Sequence, residues 1–196
     1  MIPSRQEVTY RVYGAWLLAR FDARGVQYFD DSPNAALRSF YAAVLTAPAF
    51  IVISLLSLAT SELKEDMPAF IVLVVHTLFY VLLWVVAPVI IHRICQVIDR
   101  GDAFFRYLSA NNWSNIITYH LNLVMVVLIL GEILPAPVAG LLIFATYGYV
   151  IAYNWFIGLR CLDINALTAA GLVGLQLVLH VLIESIVLDI LTQSAS

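Results

Sequence analysis

Five apolar windows, at residues 38–60, 68–92, 114–133, 136–159 and 166–191, run through most of the sequence. A helix needs roughly 20 mostly apolar residues to cross the hydrocarbon of a bilayer, and each window reaches that length. Because hydrocarbon offers backbone amides no water, such windows fold as helices and pack on one another. Their separators are short: an acidic turn from Glu62 to Met67, a polar stretch from Arg93 to Asn112, the proline turn Leu134-Pro135-Ala136-Pro137, and a brief turn from Arg160 to Asn165. The expected fold is all-α: a polytopic membrane bundle of five transmembrane helices over residues 33–196, with residues 1–32 forming a cytoplasmic or interfacial N-terminal segment. At 62% hydrophobic and 12% charged residues, the chain is far from the balance of a water-soluble domain.

Loops rich in Lys and Arg stay on the cytoplasmic side of a membrane, so the basic residues set the expected orientation. Arg5, Arg11, Arg20, Arg24 and Arg38 precede the first span, Arg93, Arg100 and Arg106 separate the second from the third, and Arg160 separates the fourth from the fifth. Only Lys64 falls on the other side. This places the N-terminus in the cytoplasm and the C-terminus outside, in a bacterial inner (plasma) membrane. The longest apolar stretch near the start, Ala15 to Ala19, is shorter than the core of a signal peptide and is followed by Arg20, so no cleavable signal is expected. With a formal charge of -3 and scattered basic residues, nothing points to nucleic acid. The expected partners are the lipid bilayer and either another protein or a second copy.

Ser4-Arg5-Gln6-Glu7 has capping-box spacing, which predicts a helix beginning there. Val8, Val12, Trp16 and Ala19 would form its apolar stripe, with arginines available to headgroups, making an N-terminal cytoplasmic amphipathic helix that lies on the membrane or docks a partner. Gly25 should end it, and Ser32-Pro33 should start the next helix. Gly101 and Asp102 frame a short helix whose aromatics, Phe104, Phe105 and Tyr107, would sit at headgroup depth. Pro48 and Pro88 each remove a backbone hydrogen bond inside a span.

Polar groups within spans are the first candidates for function, since each is costly in hydrocarbon unless paired or wet. Gln176, His180 and Glu184 are spaced i, i+4, i+8, forming a stripe roughly 12 Å long on one face of the last span, and His76 lies at matching depth in the second. The cluster is either a proton or ion site or a histidine–carboxylate pair joining helices. Glu132 and Asp189 fall near the outer boundary, where water reaches them. Toward the cytoplasm, Asn115, Thr118 and Asn122 share a face of the third span, with His120 near them and Tyr147, Tyr153 and Asn154 in the fourth, a group suited to hydrogen bonds across helices.

His92, Cys95 and Cys161 offer three soft ligands at the inner face, but structural zinc takes four in recognisable pairs, so no metal is assigned. No haem or other cofactor and no disulfide is expected. Ala166, Ala170 and Gly174 have the small-residue spacing that lets helices approach closely. Phosphate loops and hydrolase motifs are missing, and nothing in the sequence supports an enzyme.

The five spans behind a cytoplasmic segment, the proline in Thr46-Ala47-Pro48-Ala49-Phe50, the Leu134-Pro135-Ala136-Pro137 turn and the Trp155-Phe156-Ile157-Gly158-Leu159-Arg160 exit followed by an alanine-rich helix start give a chain that resembles the Yip1 domain family over roughly residues 36–192. The resemblance implies a non-enzymatic membrane scaffold or accessory subunit that binds protein partners, as eukaryotic members do in vesicle traffic, and it carries over no functional residue. The alternative is a small transporter or channel passing protons, ions or small solutes through the His76, Gln176, His180, Glu184 cluster.

Overall fold

A computed structural model describes residues 2–60 and 68–194. Among these the chain is helical throughout: α1 (Arg5–Ala19), a 3-10 turn (Ala23–Tyr28), α2 (Pro33–Ser39), α3 (Tyr41–Thr60), α4 (Ala69–Val97), α5 (Phe104–Leu130), α6 (Ala136–Cys161) and α7 (Ala166–Ser194). Five helical stretches, one of them α2 and α3 together, are long and apolar enough to cross a membrane, in agreement with the five windows. The acidic turn from Glu62 to Met67, including Lys64, lies outside the described residues.

The long helices close a ring, α3 against α4, α4 against α7, α7 against α6, α6 against α5, and α5 back against α3. Their lengths explain where the core sits. Helices α4, α5 and α6 have 29, 27 and 26 residues, roughly 39–44 Å at 1.5 Å per residue, against a hydrocarbon thickness of about 30 Å. At one end of the ring the overhang is wrapped by α1, the 3-10 turn and α2, and nearly all of the fully buried side chains gather there, Trp113, Tyr153, Ile157 and Leu162 among them. We call this end the headpiece. At the far end a small cluster around Val72, with Leu58, Val75 and Phe79, holds the helices.

Residues 104–114 show the overhang most clearly. They are not a separate helix but the first three turns of α5, and Phe104, Tyr107 and Leu108 are buried against the headpiece. Their polar content hid them from a hydropathy window, which measures contact with lipid and not helicity.

Local signals at the N-terminus act as their chemistry requires. Ser4 accepts from the Glu7 amide at 3.1 Å, and Ser32 from the Ala35 amide at 3.2 Å with Pro33 in the first turn. The Glu7 carboxylate is drawn away from the capping box by Arg38, 2.8 Å from its oxygen. The expected stripe on α1 divides: Ala19 is buried, Val8 and Val12 are half-buried and Trp16 is exposed, while the covered face runs through Arg11, Gly14, Ala15 and Leu18. Helix α1 ends at Ala19, before Gly25, through Phe21 in the left-handed region at φ 57°. Gly25 serves packing instead. A Cβ there would lie 2.7 Å from the Gly14 carbonyl oxygen, so the glycine lets the 3-10 turn press onto α1.

Both prolines sit within continuous helices, Pro48 in α3 and Pro88 in α4. Beside Pro48, the buried Tyr80 hydroxyl of α4 donates to the Ala43 carbonyl at 2.6 Å and lies 2.6 Å from Thr46 Oγ1, fastening α4 to the proline-bearing segment.

Candidate functional site

The α4–α7 seam carries the four residues singled out above, and they divide between two surroundings. Gln176 turns across the ring, where its Nε2 donates to the Tyr107 hydroxyl of α5 at 3.0 Å. His180 and Glu184 are exposed on the outer side of α7, and His76 is half-buried on α4. The His180 ring packs edge-on against Phe79, centroids 5.7 Å apart. Glu184 is within electrostatic reach of His76, yet among the described residues no ion pair joins it to either histidine.

The second polar group mostly bonds within its own helices. His120 is exposed with Nδ1 2.7 Å from the Ile116 carbonyl, Asn154 donates to Val150 at 3.0 Å, Thr118 to Ser114 at 3.5 Å, and Asn122 is half-buried. The cross-helix role falls to two tyrosines of α6. Tyr153, fully buried, donates to the Ala15 carbonyl at 2.8 Å and lies 2.7 Å from Ser114 Oγ, while Tyr149 donates to the Ala19 carbonyl at 2.6 Å.

At the third location, His92 stacks on Phe104 with centroids 4.5 Å apart, and Cys95 and Cys161 are buried, unbonded thiols. Among the described residues no group of three or more His, Cys, Asp and Glu side chains is arranged to hold a metal ion.

What the sequence did not reveal is how the charges of the headpiece are used. Arg11 is only 5% exposed; its guanidinium donates to the Tyr28 carbonyl and meets Asp30 at 2.5 Å. Arg38 pairs with Glu7, Arg106 reaches Asp31 at 3.3 Å and donates to the Cys161 carbonyl at 3.0 Å, and Arg100 donates to the Asp163 carbonyl at 3.1 Å. Several arginines that mark topology thus also tie α1, α2, α5 and the α6–α7 turn together. The signal was present in the acids beside them: Glu7, Asp22, Asp30 and Asp31 interleave with five arginines before residue 39. Arg24, bonded to Asp22 through backbone and side chain, holds that carboxyl down at about 2.

The opposite face of α1 is left open. Tyr10, Tyr13 and Trp16 are 49%, 50% and 51% exposed, and Tyr28 braces the two tyrosines at centroid distances of 4.6 and 5.3 Å. Arg5, Gln6 and Thr9 border the same shallow surface.

Fold and sites together define an all-helical protein with five helices long and apolar enough to cross a membrane and a clasped headpiece at one end. No protein-family model, curated protein or solved structure matches the chain.

Proposed function

We propose that this chain is a non-catalytic scaffold or accessory subunit of a bacterial inner membrane, its N-terminus cytoplasmic and its C-terminus outside, which presents the headpiece to a protein partner. The observation that carries this reading is the exposed aromatic face of α1. Tyrosine and tryptophan are the residues most enriched at the centres of protein interfaces, and here they stand on a helix whose other face is fixed by the buried Arg11, paired with Asp30, and by two tyrosine hydroxyls. The face is rigid before any partner arrives, which lowers the entropy lost on binding. The orientation is supported by the gathering of arginines at the headpiece. The Yip1-like assignment belongs to the same proposal and rests on the five-helix architecture alone.

What favours a scaffold over a small transporter or channel is the division of the α7 stripe: Gln176 is engaged by Tyr107, and His180 and Glu184 lie on the outside of the ring rather than within it. A photo-crosslinking amino acid at position 13, irradiated in native membranes, tests the proposal. One discrete protein adduct is expected, and it should vanish when Tyr10 and Trp16 are changed to alanine. Adducts to lipid alone would make α1 an interfacial anchor and overturn the scaffold reading, as would no adduct at all.

A further inference from the structure

The outer face of α7 holds an exposed carboxylate, Glu184, that has His76 within electrostatic reach but no direct bond to it among the described residues. Glu184 lies ten residues before the end of α7, and His76 seven residues inside α4 from the same end of the ring, so both sit roughly 10–15 Å from their helix ends. Both lie within stretches long and apolar enough to cross a membrane, Ala166–Ile186 and Phe70–Val97, where an exposed carboxylate is costly and is normally paired. Among the described residues Glu184 has no hydrogen-bond or ion-pair partner, and His180, one turn below it, is equally exposed.

We propose that this face packs against the same face of a second copy, each Glu184 taking the imidazole of His180, and of His76 beside it, from the other chain. Charge complementarity identifies the occupant. The face offers an acceptor and donors a single turn apart, so it complements itself, which is what a two-fold interface requires. A two-fold axis along the membrane normal sets the two α7 helices parallel at equal depth, and the offset of four residues, about 6 Å, is the spacing over which side chains on helices reach one another. Lipid tails carry no donor, whereas a second copy brings two. The inference is independent of what binds α1, since the headpiece is built from other surfaces.

Oxidative cross-linking in membranes tests it on the full chain. Val181, 61% exposed beside the polar pair, is changed to cysteine; the native thiols are buried and the parent serves as their control. A disulfide-linked dimer is expected for Val181→Cys and not for Phe144→Cys, a still more exposed position on α6. Adding Glu184→Leu should cut the cross-linked fraction at least tenfold, and the exchange His180→Glu with Glu184→His should restore it. No dimer at position 181, equal dimer at position 144, or a yield indifferent to Glu184→Leu would each overturn the proposal. The position-181 result stands even if the leucine variant fails to fold.

Discussion

Tyr153 shows how much a single residue holds in this molecule. Its hydroxyl is fully buried and joins three helices, donating to the Ala15 carbonyl of α1 and accepting from the Ser114 hydroxyl of α5. Tyr153→Phe keeps the ring and its packing but strands Ser114 Oγ, a loss of about 1–2 kcal/mol. In detergent the variant should melt a few degrees lower, ~2–6 °C for a chain of this size; an unchanged melting temperature would mean that α1 is held by packing alone. Tyr153 was legible as an intramembrane polar group, but not its partner, because Ala15 is a residue with nothing to offer except its backbone. Arg11 was hidden for the opposite reason. A guanidinium usually stays in water, and it is the distant Asp30 and Tyr28 carbonyl, with Glu7 one turn away at 3.9 Å, that make its burial tolerable.

At the scale of elements, the ends of the helices follow one rule. Phe21, Asp99, Glu132 and Asp163, the only residues other than glycine with positive φ among those described, each lie two positions past the last helical residue of α1, α4, α5 and α6. In α1, α4 and α5 the next amide bonds back to the carbonyl five residues earlier: Asp22 to Leu17, Arg100 to Cys95, Ile133 to Leu128. Glycine fits the left-handed position best, so Glu132→Gly, at an exposed site, should stabilise the protein by about 0.5–1 kcal/mol. Thermal unfolding in detergent checks the sign, and a lower melting temperature would contradict it. The sequence placed Gly25 and Gly101 as stops, yet the turning residues are Phe21 and Asp99, which precede them. Which residue adopts positive φ depends on where the last helical hydrogen bond forms, and composition does not specify that to within a residue or two.

Across the whole molecule, five spans were legible because length and hydropathy alone decide what can cross a bilayer. The headpiece was not, since its stability comes from contacts between residues 2–40 and helices a hundred positions later. The N-terminal segment is therefore a structural part of the bundle and not an appendage. Deleting residues 2–30 should leave Trp113, Tyr153 and Phe156 uncovered, and the truncated protein is expected to aggregate or be degraded, with a folded yield by size-exclusion chromatography well below that of the parent. A monodisperse truncated protein of parental stability would show that α1 only decorates the surface.

The bond between Tyr153 and Ala15 spans 138 residues, which has a consequence for how the protein is made. Residue 15 leaves the ribosome first, and its partner follows only after three long helices and most of a fourth have been synthesised. At about 5–20 residues per second, α1 waits on the order of 10 s with its buried arginine and its small-residue face unpartnered. The contacts of α1 with Tyr149 and Tyr153 cannot form before α6 has arrived, so the closure of the headpiece reports that four of the five long helices have been made.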